Sequence, residues 1–159
     1  MGARASRRGQ RGLTLIELIV AFTILMLLTA MAVPMAKMRV RREKERELRL
    51  ALREIRTAID KFKDASDLQQ LGQTPKLGTE GYPESLEQLV EGVKAPGAGD
   101  KKIRFLRRIP RDPMTNSTDW GKRSMQDDPK STSWGGQNVF DVYTKSQEKA
   151  ADGTPYSEW

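Results

Sequence analysis

The sequence contains neither cysteine nor histidine. Without thiols there is no disulfide framework. Without imidazole or thiol there is also no Ser-His or Cys-His nucleophile pair and no zinc site of the usual kind. No Gly-x-x-x-x-Gly-Lys-Ser/Thr run occurs, so the chain lacks the phosphate loop of an ATPase. A carboxylate dyad or a Ser-Lys pair stays formally open, but the chain reads as a non-enzyme. Its 159 residues make a single-domain prospect, and the 96 from Asp64 onward allow only a modest core.

Acid is scarce at the N-terminal end. Residues 1–12 hold four Arg and no Asp or Glu, so the formal charge of +7 falls to +3 if they are removed. The high pI is then no argument for a nucleic-acid partner. From Leu13 to Ala36 the chain is predominantly apolar and carries no charge apart from Glu17. As a helix these 24 residues extend about 36 Å, against a bilayer core of roughly 30 Å. The leader arginines place residues 1–12 in the cytoplasm and the C-terminal part outside by the positive-inside rule.

Glu17 does not belong in a plain anchor. A carboxylate near the bilayer centre costs about 2.5–3.5 kcal/mol and is by default functional, with a positive partner to be found. No Lys or Arg lies inside the run. Cleavage between Gly12 and Leu13 would supply one, since the new α-amino group has a reference pKa near ~8 and would lie one helical turn from Glu17.

These residues carry a resemblance. Gly12, a hydrophobic residue after it, Glu17 at the fifth position, a short basic leader and an apolar helix are similar to the class III signal of type IV pilins and type II secretion pseudopilins. The resemblance implies cleavage by a prepilin peptidase between Gly12 and Leu13, N-methylation of Leu13, and Glu17 as the assembly carboxylate. Pro34 stands where that family commonly has a helix-kinking proline, and a kink or a locally melted turn is expected over Ala30 to Pro34. Two plainer readings compete. Ala30-Met31-Ala32 offers an ordinary signal-peptidase site, although Glu17 would then sit inside the apolar region of the signal. Alternatively the run is a simple single-pass anchor with Glu17 snorkelling to the interface.

From Lys37 to Lys63 the helix should continue beyond the membrane. Leu48, Leu52, Ile55, Ile59 and Phe62, flanked by Ala51 and Ala58, recur at intervals of three and four and mark one apolar stripe. The abundant charges between them read as a solvated face, with subunit contacts or lipid head groups as the alternative. Asp64 to Gly81 reads as a polar linker. A short helix is expected around Tyr82 to Val90, with Pro83 in its first turn, Ser85 and Gln88 as a capping box, and Leu86, Leu89, Val90 and Val93 on one side.

Ile103 and Phe105 alternate with charges as a half-buried strand would. Leu106, Ile109-Pro110, Asp112 and Pro113 resemble the major-pseudopilin pattern, in which Trp-Gly follows directly. Here Met114-Thr115 intervenes and Trp120-Gly121 comes later, which implies an inserted loop. Arg111 to Gln137 is dominated by Gly, Pro, Asp, Asn, Ser and Thr. It reads either as an ordered loop pinned by Trp120 and Trp134 or as a mobile one with exposed aromatics. Asn138 to Thr144 reads as a strand.

The last residues resemble the C-terminal end of major pseudopilins, where a loop binds calcium. No cofactor is required. If calcium is bound, Asp152 matches the first acidic ligand, with Ser157 and Glu158 as further candidates; the alternative is a tail fixed by packing of Trp159.

The expected architecture is α+β and pilin-like. A leader, 1–12, precedes a transmembrane assembly helix, 13–36, its continuation, 37–63, and a head, 64–159, with a short helix and a small antiparallel sheet. The resemblance implies a filament-forming homo-oligomer in the bacterial inner membrane with its head in the periplasm. Its partners would be prepilin peptidase, an inner-membrane assembly platform, minor pseudopilins and lipid. A pseudopilus subunit of type II secretion is the leading expectation. A type IV pilus subunit or a membrane-tethered periplasmic binding module are the alternatives.

Overall fold

The computed structural model describes residues 14–159 except 73, 98 and 100, and leaves out the side chains at 31 and 33. Its elements are a 53-residue helix α1 (Leu15–Asp67), a short helix α2 (Leu86–Glu91), strands β1 (Val93–Lys94), β2 (Lys102–Ile103), β3 (Gly121–Arg123) and β4 (Asp141–Tyr143), and a final 3₁₀ turn (Tyr156–Glu158). A long N-terminal helix followed in the chain by a small domain of this kind is an α+β, pilin-like arrangement. The chain divides into two compact units at Arg42/Glu43.

In the first unit, α1 starts at a Thr14 cap whose hydroxyl accepts from the Glu17 amide (3.3 Å) and whose carbonyl accepts from Leu18 (3.1 Å). Thr-x-x-Glu is the sequence of a capping box, and the Thr14 hydroxyl satisfies one of the orphan donors of the first turn. The helix runs unbroken through Ala30 to Pro34, so the melted turn expected there is absent. Pro34 removes one donor from the helix ladder.

The second unit is built on the expected stripe. Leu48, Ala51, Leu52, Ile55, Ala58, Ile59, Phe62 and Ala65 are buried with Leu71, Leu86, Leu89, Val93, Leu106, Trp120, Val139, Val142 and Tyr156 in one cluster. Burying each large aliphatic side chain stabilises the fold by about 1.5–3 kcal/mol. The helix continues past Lys63 to Asp67 and ends without a glycine. Gln69 adopts φ 55°, with the Gln69 amide on Ser66 O (3.0 Å) and the Gln70 amide on Ala65 O (2.9 Å). These are the paired bonds of a Schellman stop. Leu71 is then buried, so the expected linker is docked at its start.

The short helix is shifted from its expected bounds. Ser85 is its N-cap and accepts from the Gln88 amide (3.4 Å), while Gln88 Oε1 takes the Glu84 amide (2.8 Å). Pro83 lies outside the helix, and Val93 belongs to β1 instead of the helix face. At Gly92, φ is +78° and a Cβ would lie 2.5 Å from Ile103 O, so the antiparallel β1–β2 pair can approach only because no side chain is there.

The strands are shorter than the sequence implies. After Ile103 the Phe105 and Leu106 amides both turn to Leu89 O (3.0 Å each), satisfying a carbonyl at the end of α2 that the helix cannot. The expected single sheet is two separate antiparallel pairs, β1–β2 and β3–β4. β3 arises inside the stretch read as loop. It pairs Gly121 with Tyr143, Lys122 with Val142 and Arg123 with Asp141. The residues before β4 are spent elsewhere: Val139 donates to Pro83 O (2.7 Å) and Phe140 to Arg123 O (2.8 Å).

Candidate functional site

The residues singled out for processing and assembly lie at the start of the chain. Gly12 and Leu13 fall outside the described residues; Glu17 and Pro34 are within α1 and exposed. Glu17 is the one acid in the first helical turn, where the positive end of the helix dipole favours a carboxylate. That is a local reason for an acid here, beside the assembly role. It leaves the side-chain carboxylate on the outside of the helix.

The apolar side chains that follow have nothing over them. Leu15, Ile16, Leu18, Ile19, Val20, Phe22, Ile24, Leu25, Met26, Leu27 and Leu28 are all about half exposed or more. The best membrane-length window has mean hydropathy 2.5 and none of it is buried, so this is not the covered core helix of a globular domain. Its two hydroxyls suit an apolar medium, because Thr23 and Thr29 donate to Ile19 O and Leu25 O at 2.8 Å each and present no unmet donor. The helix could span a membrane, and it offers a continuous apolar wall around a single carboxylate.

The C-terminal residues do not converge on a cation. Asp152 Oδ1 accepts the Thr154 amide (2.9 Å), a bond that, ahead of the field of Arg49, holds its carboxyl below the usual carboxylate value. Ser157 O accepts from Arg123 Nη2 (3.2 Å), and Glu158 lies 3.7 Å from Lys130 Nζ. Calcium needs six to eight oxygens. Two of the three candidates face a guanidinium or an ammonium, and no cluster of three metal-ligating side chains occurs among the described residues. Trp159 packs edge-on against Tyr156 (4.9 Å) and beneath Arg49 (4.2 Å), in keeping with a tail fixed by aromatic packing.

The segment that resembles the major-pseudopilin pattern holds one of the fully buried polar residues of the second unit. Asp112 is fully buried and accepts from the Met114 amide (2.8 Å) and from the hydroxyls of Thr115 (2.9 Å) and Thr144 (2.5 Å). Asp112 and Ser117 form an isolated bridge that closes the inserted residues into a tight excursion. Trp120 then returns to the core and donates from Nε1 to Pro110 O (2.9 Å). Gly121 lies beneath the Tyr143 ring, where a Cβ would come within 2.3 Å. Trp134 differs from Trp120: it stays on the surface under Lys122 (4.0 Å) and donates to Asn138 O (2.8 Å). Of the two tryptophans expected to pin the loop to the core, Trp120 does so and Trp134 anchors by its N–H.

The sequence reading missed the polar clamp between α1 and the C-terminal strand. Arg56 donates through Nε to Asp141 Oδ1 (2.7 Å) and through Nη2 to Val142 O (3.1 Å) and Trp159 O (2.8 Å). Arg123 approaches the other oxygen of Asp141 (3.5 Å) and stacks on Tyr143 (4.1 Å). The only local signal was an Arg interrupting the apolar stripe at Ile55–Ile59, which by itself looks like a solvated charge.

Comparison with known families gives one match: residues 7–33 fit the model of the prokaryotic N-terminal methylation motif. No curated protein and no solved structure matches. The matched residues contain Gly12, Leu13 and Glu17 and most of the exposed apolar run, so the chain carries a type IV pilin-like prepilin signal, and the match supports a pilin-like family.

Proposed function

We propose that this chain is a structural subunit of a type II secretion pseudopilus. Prepilin peptidase cleaves it between Gly12 and Leu13 and methylates Leu13. The apolar helix holds the subunit in the bacterial inner membrane, with the leader cytoplasmic and residues 43–159 on the periplasmic side, until an assembly platform and minor pseudopilins take it into the filament. There the Glu17 carboxylate of one subunit neutralises the Leu13 amine of its neighbour. In a low-dielectric filament core an unpaired charge is heavily penalised, so the pairing gives register.

The observation that carries this reading is the coincidence of the methylation motif over 7–33 with an exposed apolar helix whose first turn holds the lone acid. Secretion in preference to another pilus type is supported by the Leu106 to Pro113 and Trp120-Gly121 pattern, whose Asp112 and Trp120 are both buried. The absence of cysteine and histidine supports a structural role over an enzymatic one. Mass spectrometry of the mature protein from its native host is the test. A chain beginning at methylated Leu13 is expected; one beginning at Met1 or Val33 overturns the reading.

A further inference from the structure

Directly after the apolar run, the first unit ends in a collar of cations. Lys37, Arg39, Arg41 and Arg42 fall within six residues, all exposed, and no acid occurs between Glu17 and Glu43. This flank therefore carries as many positive charges as the four-arginine leader on the other. Cations on the translocated flank act against the orientation that the leader favours. Something on that side must offset them.

Length places the collar. From Leu15 to Ala36 the helix rises about 33 Å, the depth of a bilayer core, and Lys37 to Arg42 occupy the next ~9 Å, which matches the headgroup layer of roughly 5–8 Å on each side. Angle identifies what the collar faces. At about 100° per residue the four cations are distributed over roughly 200° of the helix circumference. A groove on a protein partner reads a stripe about half that wide, whereas a headgroup layer surrounds the helix on every side. Lys and Arg also lay their methylene stems on apolar surface while their heads reach phosphate.

We propose that Lys37, Arg39, Arg41 and Arg42 form a binding collar for anionic phospholipid headgroups in the outer-facing leaflet, holding the subunit at a fixed depth before assembly. The inference rests on the helix spanning a bilayer and not on filament formation. Each cation near an anionic surface contributes about fivefold to attachment of the segment to that surface.

The test uses the full chain reconstituted in nanodiscs of equimolar phosphatidylcholine and phosphatidylglycerol, with retained lipids counted by native mass spectrometry. With the leader arginines replaced (R4Q/R7Q/R8Q/R11Q) so that only the collar flanks the apolar run, phosphatidylglycerol should be enriched several-fold, and the enrichment should fall to near unity when K37Q/R39Q/R41Q/R42Q is added and in high salt. R104Q/R107Q/R108Q, an exposed cationic set in the second unit, should keep it. Circular dichroism and tryptophan fluorescence verify that both variants fold. No enrichment in the parent chain, full enrichment in the collar variant, or its loss in the second-unit variant each overturns the proposal. Full enrichment in the collar variant together with lost filament assembly would instead assign these residues to a protein partner. A chain that retains Met1 in its native host and whose phosphatidylglycerol enrichment is still lost with the collar substitutions would remove the filament role and leave the collar standing.

Discussion

Leu25 and Ile55 lie on the same helix, α1, and both belong to apolar patterns, yet Leu25 is 60 % exposed and Ile55 is fully buried. The difference is one of periodicity. Around Ile55 the apolar residues form a stripe with charges between them, so one face can be covered by a small domain and the other can meet water. Around Leu25 they occupy every face, and one chain has no means of covering them all. A helix apolar on all sides needs an apolar surrounding supplied from outside, in the proposed function first by lipid and then, in the filament, by other copies.

That contrast can be broken from either side. The largest effect is expected at the processing site: Gly12→Val should leave an uncut, unmethylated chain, read as the mass of the membrane-extracted protein. Normal trimming of this variant would remove prepilin peptidase from the account. Glu17→Ala should be inserted and cut as before while filament yield drops by an order of magnitude or more in quantitative electron microscopy, about 1.4 kcal/mol or above per subunit contact. Unchanged filaments would reduce Glu17 to a helix-cap residue. In the second unit, Ile55→Ala should cost about 2–5 kcal/mol, whereas Leu25→Ala should change the unfolding free energy of that unit, from denaturant titration, by no more than about 0.5 kcal/mol. Equal costs would mean that Leu25 is covered by the chain itself.

Smaller effects sharpen the picture of the second unit. Gly121→Ala drives a methyl into the Tyr143 ring and should destabilise by about 1–3 kcal/mol, with partial recovery in the double variant Gly121→Ala/Tyr143→Ala. A G121A protein as stable as the parent would show that the ring moves aside freely. The smallest effect concerns pH. The amides of Ser124 and Gly135 hold the Asp127 carboxyl below its ordinary value of 3.8. A depressed folded-state pKa means that the contribution is present above the unfolded value and is lost as pH falls through the folded one. Acidification below 3.8 should therefore raise amide exchange at Ser124 and Gly135, and Asp127→Asn should weaken that dependence.

The parts of the fold legible in the sequence are those set by local repetition. The buried face of α1 from Leu48 to Phe62 follows from spacing alone, and the Ser85 cap follows from side-chain chemistry within one turn. What escaped detection was β3, whose Gly-Lys-Arg sequence has no strand propensity. It is a strand because Tyr143 and Asp141 lie opposite it. The end of α1 was missed by one turn because its left-handed residue is Gln69, where glycine would have been the signal. At the candidate site, Glu17 stood out because it is an acid among hydrocarbons. Arg56 did not, because one cation on a charged helix is common and its partner is 85 residues away.

By itself the sequence determined a membrane-length apolar helix, the acid in its first turn, the processing signal and the stripe on which the second unit is built, because period and charge act over a few residues. Only the tertiary structure decided that Asp112 is a buried hub, that Asp141 is shared by Arg56 and Arg123, and that Asp152, Ser157 and Glu158 turn to amides and cations within the chain. Those choices are made by groups far apart in sequence, which become neighbours only once the core has closed and water is excluded from between them.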